Sequence, residues 1–166
     1  MQFKVGDQVI HPRHGLGHIT KLAVKQFVEG EKRLFYEISF PGSTLWAPLN
    51  LSNSGIRKLT GKNEVVKCRL LLKAPADSLS GDPRLRQKAL VEHLKEGTLT
   101  AHCEVVRDLT AHSWQKSLSG GIAAFLNATR EVLYQEWAAV EGISLEDASL
   151  EIESLLEEGK QANTNE

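Results

Sequence analysis

Apolar and polar residues alternate in part of the N-terminal region, and this pattern predicts a β-strand. Between positions 33 and 40 every second residue is apolar. A period of two is typical of a strand with one face against a core. The side chains expected on that buried face are Leu34, Tyr36, Ile38 and Phe40.

Turn-forming residues divide the rest of the first sixty positions into further short strands. The sequence Glu-Gly-Glu-Lys at 29–32 predicts a turn, so the segment from about His18 to Val28 is the expected hairpin partner of the strand that follows. Short strands are also predicted at 45–47 and 56–58. Five short strands in so short a region favour a small closed or nearly closed barrel, because closure removes exposed edges.

After residue 62 the apolar residues recur at helical spacing, and five helices are predicted. Asp82 is expected to cap the second helix, because Pro83 suits a first helical position, where no N–H is needed. Ser144 and Asp147 form a variant of the capping box at the fifth, and the polar residues after Gly159 are expected to fray. The predicted limits are 62 to before Pro75, Pro83 to about Glu96, Thr98 to Lys116, Ser119 onward, and Ser144 to Gly159.

These patterns together predict an α+β protein with two domains. A small β-barrel of about five strands is expected over residues 1–60, followed by an all-helical domain of about five helices over residues 61–166. The composition, 41% apolar and 25% charged, is that of a soluble globular protein. We find no signal peptide and no run near the ~18 apolar residues of a membrane span, so a cytoplasmic protein with no membrane partner is expected.

The charge of the chain is unevenly distributed. Residues 1–75 carry a net charge of +7 and residues 76–166 a net charge of −8, although the whole chain is at −1. A basic first half suggests an anionic partner, which is either an acidic protein surface or a nucleic acid. A solvated charge pattern without a partner is the alternative.

Side chains that could support catalysis form no constellation that we can assign to a reaction. His11, His14 and His18 lie close in sequence, but no cysteine or carboxylate cluster nearby completes a set of metal ligands. Cys68 and Cys103 lie within apolar helix patterns and are expected to be buried structural thiols. We therefore predict a protein without enzymatic activity, metal or cofactor.

Two segments are better candidates for binding. Trp46 lies on a short strand that ends in Pro48, and a core position is the favoured interpretation, while a position on the rim would anchor a protein partner. A strand shortened by proline is typical of a barrel edge, which can accept a strand from a partner.

The second segment is the start of the second predicted helix, where basic residues follow Pro83. Arg84, Arg86 and Lys88 lie within the first two turns, where the helix dipole also favours anions, so they suit contacts to phosphates. The alternative is a solvated helix start in which Lys88 pairs with Glu92 four residues later.

Several short motifs follow one another in a fixed order along the chain. The segment from Phe3 to Gly17 contains Gly-Asp, His-Pro and His-Gly pairs, and Ser-Gly-Ile-Arg-Lys follows at 54–58. The motif Glu-Val-Val-Arg-Asp-Leu stands at 104–109, flanked by 88–97, 118–119 and 128–133. In this order the motifs resemble those of the CarD/CdnL family of bacterial transcription regulators, over nearly the whole chain.

The resemblance implies a Tudor-like barrel that binds a lobe of the RNA polymerase β subunit. Arginines that commonly contact this lobe in the family align near Gln26 and Trp46. The polymerase-binding residues expected from the resemblance are therefore Lys25, Gln26, Trp46 and Ala47.

The resemblance also implies that the helical domain contacts promoter DNA at the upstream edge of the bubble and stabilises the open complex, without reading a particular sequence. In the family a tryptophan inserts into the minor groove there. Pro83 lies near the aligned position, and the nearest tryptophan is Trp114. The expected DNA-binding residues are Pro83, Arg84, Arg86, Lys88 and Trp114. A protein-interaction adaptor without the DNA contact is the alternative hypothesis.

Overall fold

The computed structural model describes residues 3–49 and 55–164 of the 166-residue chain. Contacts between residues divide the chain into two compact units, residues 1–59 and residues 60–166, which we call the strand unit and the helical unit. A five-stranded antiparallel sheet in the first and five helices in the second confirm the predicted α+β class.

The strand unit is built from one sheet whose hydrogen-bonded order is β4-β3-β2-β1-β5. Its central strand is long because the first residues of β2 pair with β1, while the rest forms a hairpin with β3. In the described residues β4 and β5 are the two edges of the sheet. The strands are β1 (Gln8–His11), β2 (Gly15–Val28), β3 (Glu31–Phe40), β4 (Ser43–Pro48) and β5 (Arg57–Lys58).

The core of the strand unit lies on one face of this sheet, as the alternation in β3 predicts. Tyr36, Ile38 and Phe40 are buried. The prediction for Leu34 is wrong, because its side chain is 49% exposed. Leu34 pairs with Val24 near the turn of the β2–β3 hairpin, and Val24 is 60% exposed as well, so the core does not reach this end of the hairpin.

The helical unit begins its helices close to the predicted positions. The Asp82 carboxylate accepts the N–H of Arg84 at 2.9 Å and caps α2, as expected for a residue that precedes proline at the first helical position. The Thr98 hydroxyl caps α3 in the same way, at 3.1 Å from the N–H of Ala101. The helices are α1 (Lys62–Lys73), α2 (Pro83–Leu94), α3 (Leu99–Gln115), α4 (Gly120–Glu141) and α5 (Leu145–Thr164).

The predicted end of the last helix is wrong. Helix α5 continues through Gly159, which is buried inside the helix instead of terminating it. A Cβ atom added at Gly159 would lie 3.0 Å from the carbonyl oxygen of Lys73 and 3.1 Å from that of Leu72. The missing side chain therefore lets α5 pack closely against the last turn of α1, and tertiary packing overrides the helix-ending tendency of glycine.

A partly buried ion pair connects three helices of this unit. The Arg69 guanidinium on α1 donates to Glu151 on α5 at 2.6 Å and lies 3.2 Å from Glu141 on α4. The hydrogen bond with Glu151 is the main reason that the pKa of Arg69 is raised. The same guanidinium lies 5.4 Å from the ring centre of the fully buried Trp137, so it covers the core as well as pairing with the two carboxylates.

Candidate protein and nucleic-acid interfaces

The face of the sheet opposite the core carries a cluster of charged and aromatic side chains. Glu37 on β3 lies between Lys21 on β2 and Trp46 on β4 in the strand register. Lys25, four residues after Lys21 on the same face of β2, places its ammonium 4.7 Å from the centre of the Trp46 ring. We call these four residues the outer-face cluster, and its geometry is that of a cation–π pair beside a carboxylate.

Trp46 stands on the surface of the strand unit, so the favoured prediction of a core position is wrong. Its side chain is 40% exposed, whereas its neighbour Ala47 is only 4% exposed. Successive residues of a strand point to opposite faces, and Ala47 pairs with the buried Tyr36, so Trp46 must face outward. The outward direction of Trp46 could have been predicted from the alternation along β4, once one face of β3 had been assigned to the core.

The Glu37 carboxylate is fixed next to Trp46. It accepts a hydrogen bond from the Thr20 hydroxyl at 2.8 Å and lies 3.8 Å from the Lys21 ammonium. Thr20 is the extra residue at a register shift between β2 and β3, so the irregularity supplies the hydroxyl that orients the carboxylate. Sequence reasoning missed Glu37, because only the strand register shows that it lies opposite Trp46.

Two of the other residues expected at the polymerase are placed differently. Gln26 is exposed at the second register shift of β2, between Lys25 and Val28. The Ala47 side chain belongs to the core. Ala47 can therefore contact a partner only through the backbone of β4, which forms an edge of the sheet in the described residues and ends at Pro48.

The start of α2 presents basic residues to solvent. Arg84 and Lys88 are exposed and lie four residues apart, on one side of the helix. Arg86 is bent back onto the preceding segment, where its Nε donates to the Ser80 carbonyl at 3.0 Å. The structure therefore groups Arg84 and Lys88 as available cations and gives Arg86 a role in holding the helix start. Pro83, at the first helical position, is exposed beside them.

The segment that leads into α2 is attached to the bundle by a buried ion network. The Asp108 carboxylate on α3 accepts the N–H of Asp77 at 3.0 Å and the Nε–H of Arg107 at 2.9 Å. Arg107 also donates to the Leu71 carbonyl at 3.3 Å. Burial raises the pKa of Asp108 despite these hydrogen bonds. Residues 107 and 108 belong to the Arg-Asp part of the motif at 104–109, and their role is to position this linker.

One cation of α2 affects the C-terminal part of α3. The pKa of His112 is lowered, first by burial and then by the positive charges of Arg86 and Lys116. The positive charge of Arg86 on α2 therefore disfavours the protonated form of His112 on α3. The sequence does not show this effect, because the two residues lie on different helices.

Trp114 contacts a different cation. It lies two residues from His112 on α3, which places the two side chains on different sides of the helix. The Trp114 ring is 39% exposed and lies 5.0 Å from the Lys160 ammonium on α5. Trp114 therefore contacts Lys160, whereas Arg86, another of the predicted DNA-binding residues, bonds to the Ser80 carbonyl.

Two of the three N-terminal histidines have structural partners. The Nδ1 atom of His11 accepts the N–H groups of Arg13 and His14, at 3.0 and 3.1 Å, and closes the turn between β1 and β2. The His14 ring packs on Phe40, with 5.1 Å between ring centres. His18 is exposed on β2. Within residues 3–49 and 55–164, no group of three or more histidine, cysteine or acidic residues is placed to hold a metal ion.

Burial favours the neutral form of the His11 imidazole. The pKa of His11 is lowered from 6.5 to about 4, first by burial and then by the positive charges of His14 and Arg13. The neutral imidazole is the form that accepts the two turn N–H groups.

None of the helices in the described part of the chain is long and apolar enough to span a membrane.

Two family models match the chain, one for each unit. The model described as "CarD-like/TRCF RID domain" matches residues 3–60, and the model described as "CarD, C-terminal domain" matches residues 67–153. The chain is also similar to a protein of Bacillus subtilis (strain 168) named "Putative transcription factor YdeB". The two sequences are 28% identical over 145 residues, which cover 86% of this chain and 94% of the relative.

Proposed function

Since the chain belongs to the CarD family of transcription regulators, we propose that it binds the β-subunit lobe of RNA polymerase and stabilises the open promoter complex. In this proposal the outer-face cluster and the edge strand β4 bind the lobe, while the start of α2 contacts DNA. The observation that carries it is the exposed Trp46 ring with Lys25 above it, on β4, which is an edge of the sheet in the described residues. The protein acts as a cytoplasmic, non-enzymatic regulator.

The outer-face cluster suits a protein partner for two physical reasons. Tryptophan is enriched among the residues that dominate binding energy, and 40% of Trp46 is available for burial. The strand next to it, β4, offers backbone N–H and C=O groups at an edge, which a partner strand can pair with. Lys25 adds a positive charge that selects an acidic partner surface.

The start of α2 suits DNA backbone contacts without sequence readout. Arg84 and Lys88 are exposed on one side of the helix, and the N-terminal end of the helix dipole adds a favourable field for phosphates. Pro83 and the 58%-exposed Leu85 supply an apolar surface beside them. Two phosphate contacts predict a salt slope of about −1.8, at about −0.9 per phosphate.

The polymerase half of the proposal is tested by binding to the isolated β-subunit lobe from the same bacterium. Wild-type chain is expected to bind in the micromolar range, which corresponds to about −8 kcal/mol. Trp46→Ala is expected to weaken binding at least about tenfold, and Lys25→Ala by a smaller factor. Both variants should keep the wild-type circular dichroism spectrum, because the two side chains are not in the core.

The helical unit supplies a matched control for Trp46. Trp114 is 39% exposed and also has a lysine ammonium over its ring, at 5.0 Å. Trp114→Ala is expected to bind the lobe like the wild type. Equal binding by wild type and Trp46→Ala would contradict the assignment of the outer-face cluster, and a loss in Trp114→Ala alone would place the interface on the helical unit.

A protein-interaction adaptor is the second candidate function. The observation that favours it is the charge of the helical unit, since residues 131–166 contain ten acidic residues and one lysine. Such a segment repels DNA and suits a basic protein partner. Lobe binding without any change in open-complex lifetime would support the adaptor.

A further inference from the structure

Helix α1 carries a basic surface with two exposed apolar side chains at its centre. Val66 and Leu70 lie four residues apart, so they share one side of the helix, and Leu70 is 66% exposed. Exposed lysines flank this pair at three or four positions, and they are Lys62, Lys67 and Lys73. We call these five residues the α1 face. The contacts with polymerase and DNA in the proposed function do not use it.

Helix α5 carries the opposite charge around a leucine that is exposed to a similar extent. Leu150 is 62% exposed. Residues three or four positions away on a helix lie beside it, and a residue seven positions away lies two turns along the same side. Exposed carboxylates occupy four of these positions, namely Glu146, Asp147, Glu153 and Glu157. We call Leu150 and these four residues the α5 face.

The two faces adjoin each other on the surface of the helical unit. Arg69 on α1 bonds to Glu151 on α5, and one turn later Lys73 lies 3.8 Å from Glu158. The two helices therefore run side by side in the same direction. Both members of the Lys73–Glu158 ion pair are exposed, so this pair marks the boundary between the faces. The surface has a basic strip beside an acidic strip, each with an exposed leucine.

We propose that a second copy of this chain covers both faces, with α1 of each copy packed on α5 of the other. A two-fold axis that runs along the helices, between α1 and α5, places each helix over the opposite helix of the partner copy. Lysines then meet carboxylates in two equivalent contacts, and Val66, Leu70 and Leu150 of both copies are buried.

The charge distribution selects this occupant. The basic α1 face by itself would suit a nucleic acid, but the carboxylates of the adjoining α5 face repel phosphates. A partner that fits both strips must be acidic where it meets α1 and basic where it meets α5. The same chain has this pattern on its own surface, so the two faces complement each other across a two-fold axis.

The ion pairs that the lysines make within one chain do not prevent this contact. Lys67 lies 3.1 Å from Glu64, and Lys73 lies 3.8 Å from Glu158. The ammonium groups of both pairs are exposed, and surface pairs of this kind contribute little to stability. The lysines can therefore exchange their carboxylate partners when two copies meet. Salt screens such contacts, so dimerisation is expected to weaken as the ionic strength rises.

The test measures sedimentation of the full chain over a series of concentrations at low salt. The wild type is expected to change from monomer to dimer as the concentration rises, and to stop there because a two-fold contact is closed. Val66→Ser is expected to weaken dimerisation at least about tenfold, since two copies of the side chain leave the interface. Val91→Ser is the matched control, because Val91 is 40% exposed on α2 and Val66 is 53% exposed on α1. It should dimerise like the wild type.

An exchange of charges tests which helices meet. Lys62→Glu/Lys67→Glu makes the α1 face acidic, and Glu146→Lys/Glu157→Lys makes the α5 face basic. Each double variant alone is expected to stay monomeric, because like charges then meet in both contacts. An equimolar mixture of the two should form a heterodimer, because both contacts again join opposite charges. The four side chains are exposed, so both variants should keep the wild-type circular dichroism spectrum.

Three results would overturn the proposal. They are a wild type that stays monomeric at every concentration, a dimer that Val66→Ser and Val91→Ser weaken equally, and a mixture of the charge variants that does not associate. A monomeric wild type would leave the acidic α5 face to a different, basic protein. Dimerisation does not depend on the proposed function. Lobe binding is measured in parallel, and its absence counts against that function without affecting the dimer.

Discussion

The strand unit and the helical unit each expose a tryptophan beneath a lysine, and the two pairs differ in what surrounds them. Trp46 lies on a sheet face next to Glu37, at an edge strand that ends in proline. Trp114 lies between two helices, with Lys160 as its cation. The first pair lies on a strand that is an edge of the sheet in the described residues, whereas the second pair joins α3 to α5.

This difference shows how each architecture makes a binding surface. A sheet places alternate residues of neighbouring strands side by side, so Lys21, Glu37 and Trp46 form a row from three separate segments. A helix places residues four apart together, as it does for Arg84 and Lys88. The surface of the sheet therefore depends on how its strands pair. The surface of α2 depends on the helical repeat and on the linker that holds the start of the helix.

The largest effect on the free energy of unfolding is expected from replacing a buried tryptophan, compared with an exposed one. Trp137 is fully buried, and Trp137→Ala is expected to lower the free energy of unfolding of the helical unit by about 4 kcal/mol. Trp46→Ala should cost less than about 1 kcal/mol in the strand unit. Urea unfolding, with hydrogen exchange used to monitor each unit separately, measures both free energies. If Trp46→Ala lowered the free energy of unfolding by several kcal/mol, Trp46 would have to be a core residue.

A smaller effect compares one glycine from each unit. A Cβ atom at Gly17 would lie 2.5 Å from a ring carbon of Phe40 and 2.9 Å from the Ser39 carbonyl oxygen, so Gly17→Ala is expected to cost about 3 kcal/mol. Gly159→Ala meets only contacts of 3.0 Å or more, and alanine is the better helix former by about 1 kcal/mol.

Gly159→Ala is therefore expected to change the free energy of unfolding by less than about 1 kcal/mol. Thermal melting of the two variants beside the wild type measures the contrast. If Gly159→Ala were the more harmful of the two, the contact between α5 and the last turn of α1 would be tighter than the one between β2 and Phe40.

The smallest expected effect is a difference in how the stability of the two units depends on pH. Because the pKa of His11 is lowered from 6.5 to about 4, protonation favours the unfolded strand unit. Its contribution to stability is complete above about pH 6.5 and disappears as the pH falls to about 4, amounting to about 1 kcal/mol after allowance for solvent screening. Asp108 acts in the opposite direction, because its raised pKa adds stability to the helical unit on acidification.

His11→Asn is the matched variant for this prediction, since an asparagine oxygen can accept the same turn N–H groups. Its strand unit should lose less stability than the wild type between pH 6.5 and pH 4, as measured by urea unfolding at several pH values. An unchanged pH dependence in the variant would show that His11 is not the responsible group.

Local sequence patterns predicted much of this fold. The alternation in β3, the cap at Asp82 and the change of period after residue 62 all depend on neighbouring residues, and the structure confirms them except at Leu34. The predicted helix end at Gly159 was wrong. A glycine at this position leaves room for the Lys73 carbonyl group on α1 and does not end the helix. A contact between distant segments is not visible in a local pattern.

The candidate sites were less predictable for the same reason. Trp46 could be singled out, but its outward direction follows from pairing with β3, and Glu37 became relevant only through that register. Arg86 was grouped with Arg84 by sequence spacing, yet its guanidinium bonds to the Ser80 carbonyl. Lys160 lies far from Trp114 in sequence, so no spacing argument could join them.

We propose that two separate surfaces act together at the promoter, and a measurement of open-complex lifetime against protein concentration tests this most directly. Trp46→Ala should raise the concentration needed for half the effect at least about tenfold and leave the maximum lifetime unchanged. The double variant Arg84→Ala/Lys88→Ala should lower the maximum lifetime without moving the midpoint. A double variant that matches the wild type at low salt, or two variants that change the same parameter, would contradict the account.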